Sequence, residues 1–145
     1  MAELDAQMDK KGPLAEGTRA VAVTRWVVRW SYQTRSDGSS CELQKPSIET
    51  LAVFNFPTWD PGESVSEEVV SQWRGFMRGV EAHEEHHRSL AVKAGLAIRR
   101  ALMGLPSAGT CSILEEEADR TFHEVYDLYE AKQEAFDTAA GGSSY

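Results

Sequence analysis

Hydrophobic and polar positions along the chain change their period twice, and each change marks an element. From Arg19 to Tyr32 the text "RAVAVTRWVVRWSY" is β-branched and aromatic, and Trp26, Val28, Trp30 and Tyr32 alternate with Arg25, Val27, Arg29 and Ser31. A period of two with one aromatic face predicts a half-buried strand. After the turn-forming "RSDGSS", the segment "SIETLAVFNF" predicts a second strand, stopped by Pro57. Beyond the loop "PTWDPGES" the period lengthens. Val69, Trp73, Phe76, Val80, His83, His87, Leu90, Ala94, Ala97 and Ala101 follow one another at steps of three and four, one face of a helix from about Ser66 to Leu102. Ser64 or Ser66, followed by glutamates, can cap its start. "MGLPSAGT" breaks the pattern before a second helix from about Ser112 to Phe136, whose stripe runs through Leu114, Ala118, Thr121, Val125 and Leu128. A weak helical segment ends at "KKGP" near Pro13, and residues 137–145 read as a flexible tail.

This order predicts an α+β fold, a small antiparallel sheet packed on a hairpin of two long helices, formed by residues 1–145 as a single domain. The five aromatic residues Trp26, Trp30, Tyr32, Trp59 and Trp73 could line a cleft, but at strand and helix spacing they read first as core.

Charge and composition narrow the partners. With 23 acidic against 15 basic residues the net charge is −8, and no Lys/Arg cluster offers a nucleic acid or an anionic membrane a surface. No apolar run reaches the length of a membrane span, and "MAELDAQMDKKGP" has no apolar signal region. The expectation is a cytoplasmic protein, or a secreted or periplasmic one if a leader has been removed. Two cysteines, Cys41 and Cys111, allow one disulfide and form no close ligand pair.

The long helix carries the candidate chemistry in "HEEHH", residues 83–87. One histidine on an apolar stripe is most often a hydrogen-bonded core residue. Here His83 and His87 lie one turn apart within the stripe, with Glu84 beside them, and three polar groups in a buried stripe cost several kcal/mol unless each has a partner. A cation supplies partners. In H-E-x-x-H the two imidazoles face the same side and can hold one Zn²⁺, and the glutamate can take a proton from water at the ion's open position. The predicted roles are His83 and His87 as ligands and Glu84 as general base, while Glu85 and His86 fall on other faces.

A third ligand is harder to place. In an antiparallel helix hairpin turning near Pro106, residues whose numbers sum to roughly 214 share a height. The histidines then look across to about 127–131, which makes His123, Glu124 and Asp127 weak candidates. The run Glu115–Glu117 lies nearly three turns away and reads as the dipole-favoured first turn of its helix.

Taken together, "MDKKGP", "TRWVVRWSY", Cys41, "PTW" at 57–59, Trp73 with Phe76, "HEEHH", "ALMGLPSAGTC" and Phe136-Asp137 resemble, in order and spacing over nearly the whole chain, a bacterial family of uncharacterised proteins labelled predicted secreted zinc-dependent proteases. The resemblance implies a zincin-like domain and suggests that Cys41 and Cys111 pair in exported relatives. Relatives in that family begin with an export signal and a further strand, which this chain is expected to lack, and tend to end with a Thr-x-His-Gly motif; the position of that histidine corresponds here to Gly142, within "FDTAAGGSSY". The expected function is a zinc-dependent hydrolase, a peptidase of the zincin type, acting on a peptide or small-molecule substrate. Such a site can hold an extended peptide by strand addition. Two alternatives are a cytoplasmic biosynthetic enzyme using the same metal site for a non-proteolytic step, and a non-catalytic binding module.

Overall fold

The structure, a computed structural model, describes residues 22–60, 62 and 64–140 in full, and before them the backbone pairing of Leu14–Ala15 (β1) with Thr18–Arg19 (β2). The helical segment expected before Pro13 and the position Gly142 lie outside the described residues. Strands β3 (Val23–Ser36) and β4 (Cys41–Asn55) form a two-stranded antiparallel sheet, and two helices follow, α1 (Glu67–Met103) and α2 (Cys111–Ala139). The α+β order is therefore as the periodicity predicts.

Strand β3 keeps the predicted length of 14 residues but lies four positions later than Arg19–Tyr32, and β4, with 15 residues, is longer than its apolar text. The polar stretches "QTRS" and "CELQKP" extend the ladder, because each strand of a two-stranded sheet keeps one free edge and so tolerates polar residues and even Pro46. The turn between them is fastened by Asp37, whose Oδ1 accepts from the backbone N–H groups of Ser39 (2.9 Å) and Ser40 (2.8 Å), while Gly38 takes φ +90°. Those two donors hold the Asp37 carboxyl down at about 2.

Ser66 is the residue that caps α1: its Oγ accepts from the Val69 N–H at 3.4 Å, and Glu67 and Glu68 occupy the first turn. Thr110 does the same for α2 through the Ile113 N–H. Helix α2 continues to Ala139, so residues 137–139 are helical and not tail.

The chain divides into two compact units. One comprises residues 26–51 and 89–135. Here Ile98, Leu102, Ala118 and Phe122 form the buried cluster, and Val28, Trp30, Tyr32, Leu43, Ile48, Leu105, Val125 and Tyr126 pack on it. Trp30 stacks on Phe122 and Trp26 on Tyr126, each at 4.6 Å between centroids, so the aromatic strand face is core in this unit, as expected. Each fully buried Ile or Leu side chain contributes roughly 1.5–3 kcal/mol. The stripe on α2 passes through Phe122, and Leu128, assigned to it from sequence, is exposed. Cys41 and Cys111 are joined by a disulfide with a Cα–Cα distance of 5.1 Å, and Cys41 also exchanges two backbone hydrogen bonds with Ala108. The start of β4 is thus tied to the connection between the helices.

The other unit comprises residues 1–25, 52–88 and 136–145. Its described part holds the first half of α1, the last turn of α2, the end of β4 and the loop at Pro57–Trp59. No helix among the described residues is long and apolar enough to cross a membrane.

Candidate metal centre

The stripe of α1 turns polar in the second unit. Val80, Glu84 and His87 are all buried, Glu84 at 2% exposure and His87 at 7%. Glu84 sits deeper than either histidine, where the sequence places it only beside them. A carboxylate removed from water must be answered by donors, and one is Thr24 on β3, whose hydroxyl donates to Glu84 Oε2.

His83 and His87 project from successive turns toward the end of α2. Both Nε2 atoms meet one oxygen, Asp137 Oδ1, at 3.0 Å and 2.7 Å. The side chain of Asp137 is 57% exposed, so the group opens to solvent on its carboxylate side. Phe136 covers the other side: its ring stacks on His83 at 4.5 Å and on His86 at 3.9 Å and meets His87 edge-on at 5.1 Å. His86 is exposed and lies outside the converging group, and Glu85 pairs with Arg88, as their positions on other helical faces predict.

The sequence-predicted pair His83 and His87 is brought together, and the third member is Asp137. Among the described residues these three form the group whose ligand atoms all lie within 4.8 Å of one another. His123, Glu124 and Asp127 do not belong to it; all three are exposed, and His123 faces Asp119 at 3.6 Å. The equal-height rule fails for a physical reason. It points to about residues 127–131, whereas the partner is about six to ten positions farther on. Helical side chains lean toward their own N-terminus, so in antiparallel helices both leans move a contacting pair toward higher numbers. A lean of about one position on each helix supplies part of the offset.

The donor set fits a divalent metal. Two imidazole nitrogens and one carboxylate oxygen, with a fourth position left open, form the set that catalytic zinc sites use, and other divalent ions accept it too. For bonds of about 2.0–2.1 Å in a tetrahedron, donor atoms stand roughly 3.3 Å apart. The two histidine–Asp137 separations, 2.7 Å and 3.0 Å, reach that spacing with a few tenths of an ångström of opening, which the exposed Asp137 side chain can give, and the two imidazole nitrogens stand within 4.8 Å of each other.

No curated protein and no solved structure matches the chain. Residues 1–143 match a sequence family described as bacterial protein of unknown function, and on that match the chain belongs to the DUF922 family.

Proposed function

We propose that the chain is a zinc-dependent hydrolase of the zincin type, a peptidase, with His83, His87 and Asp137 as metal ligands and Glu84 as general base. The observation that carries this reading is the convergence of two histidines, one helical turn apart, on one carboxylate oxygen from a second helix. A bound zinc supplies Lewis acidity toward a carbonyl and toward water. Glu84, next in the chain to His83, takes a proton from the attacking water and passes it to the leaving amine. Thr24 holds the Glu84 carboxylate in one orientation through its hydroxyl. Phe136 excludes water from one side of the imidazoles, which strengthens the electrostatics of the group.

The burial of Glu84 favours a second reading, a non-catalytic module in which the metal is structural and Glu84 only ties α1 to β3. Two variants decide. Elemental analysis of purified protein is expected to find about one zinc per chain, and none in His83→Ala with His87→Ala. Glu84→Gln is expected to retain zinc and to lose the hydrolysis of an unfolded protein substrate such as casein. Full activity in Glu84→Gln would refute the base assignment; absence of metal from wild type after incubation with zinc would refute the site.

A further inference from the structure

The first half of α1 has a second feature that the metal group does not use. Trp73, Arg74, Met77, Arg78 and Glu81 on α1, with Pro57, Thr58 and Trp59 from the loop after β4, line a cavity of about 540 Å³. That volume is in the range of small-ligand and side-chain pockets. Trp59 and Trp73 stand at 5.5 Å between centroids, tilted by 46°, and Phe76, outside the lining, packs on Trp73 at 5.6 Å. One wall of the cavity is thus aromatic, with Met77 as an adaptable apolar neighbour.

The other wall is cationic. Arg74 and Arg78 are one helical turn apart and both exposed, and neither forms an ion pair with a described residue. Elsewhere on the helices, Arg88 and Arg120 take the carboxylate three positions before them. Like charges at i and i+4 destabilise a helix by a few tenths of a kcal/mol unless an anion lies between them. The carboxylate nearest in sequence, Glu81, lines the same cavity without closing on either guanidinium. Two forked donors beside two indole faces, in a chain of net charge −8, make a local positive spot with an apolar floor.

We propose that this pocket binds a peptide carboxylate with a neighbouring apolar or aromatic side chain, the carboxylate on Arg74 and Arg78 and the side chain packed against Trp59 and Trp73 where they line the cavity. The binding does not depend on the metal. A nucleotide is the disfavoured ligand, because its phosphates carry more charge than two arginines answer, Glu81 stands in the same cavity, and the chain as a whole repels polyanions.

Titration calorimetry on the full chain tests this with four blocked peptides: acetyl-Phe-Glu-amide, acetyl-Phe-Gln-amide, acetyl-Gln-Phe as the free acid, and acetyl-Gln-Phe-amide. The expected result is about tenfold tighter binding of at least one acid than of its amide partner, unchanged by a chelator. A preference for the first acid identifies an internal acidic residue as the ligand group, and a preference for the second identifies a chain terminus. The preference is expected to vanish in Arg74→Gln with Arg78→Gln, and to weaken in Arg74→Lys with Arg78→Lys, which keeps the charge and loses the fork; circular dichroism checks that both variants fold. Equal binding of acids and amides, or displacement of the peptide by adenosine monophosphate at equal concentration, would overturn the proposal.

Discussion

Between Ala91 and Leu102, helix α1 buries alanine, isoleucine and leucine side chains; between Val80 and His87 it buries a carboxylate and an imidazole. The stripe is geometrically continuous, so the helix itself does not distinguish the two stretches. Their surroundings do. The apolar stretch belongs to a unit closed by stacked aromatic rings and a disulfide, where non-directional contact area provides the stability. In the polar stretch each buried group has a directional partner, Thr24 for Glu84 and Asp137 for His83 and His87. Contact area stabilises a fold whatever its details, whereas buried polar groups are tolerated only at fixed positions. Under the proposed function, that division gives stability to one region and the metal chemistry to the other.

The comparison breaks if disturbing the stabilising region strips the chemistry. Cys41 and Cys111 are 70 positions apart, and opening so long a loop is expected to cost about 2–4 kcal/mol, or roughly 5–15 °C in Tm. Zinc affinity at 25 °C is expected to stay within about threefold when Cys41→Ser and Cys111→Ser are combined. Thermal melts and a competitive zinc titration check the two halves of this statement, and joint loss would show that the regions act as one.

Disturbing the polar region should do the reverse. Asp137→Asn keeps the shape of the side chain and removes its charge, and, at a direct ligand, is expected to lower zinc affinity by more than the roughly ten- to hundredfold typical of losing a group that only hydrogen-bonds to a ligand. Because the Asp137 side chain is mostly exposed, the stability of the metal-free protein is expected to change by less than about 1 kcal/mol. A large fall in Tm without metal would mean that Asp137 is a structural partner of the histidines before it is a ligand.

The smallest effect sharpens the packing side. A Cβ added at Gly95 would run into Thr50 Oγ1, too close to be accommodated without movement. Gly95→Ala is expected to destabilise by about 1 kcal/mol, the clash outweighing the gain in helix propensity. Thr50→Ala in the same chain removes the oxygen, and denaturant titration should then show Gly95→Ala as neutral or stabilising.

The elements of this protein were legible because each is a local pattern. Alternation at Trp26–Tyr32 marks a strand, and the three-and-four spacing from Val69 to Ala101 marks a helix, whatever lies opposite. The pair His83 and His87 was legible for the same reason, since one turn of helix fixes their common face. Strand ends were less so, because "QTRS" and "CELQKP" pair through backbone groups that side-chain polarity does not report. The sequence left the disulfide as one possibility, and the fold brings the two cysteines to bonding distance.

Asp137 was not legible in its role. It lies in text that reads as the start of a tail, and the height argument pointed about two turns short of it. Sequence by itself determined which side chains share a face, since that follows from helix and strand geometry within a few residues. Only the tertiary structure decided that Thr24 reaches Glu84, that Asp137 closes on both histidines and that Phe136 covers them, because those contacts depend on how far each side chain leans across the gap between elements. Local periodicity carries no record of that distance.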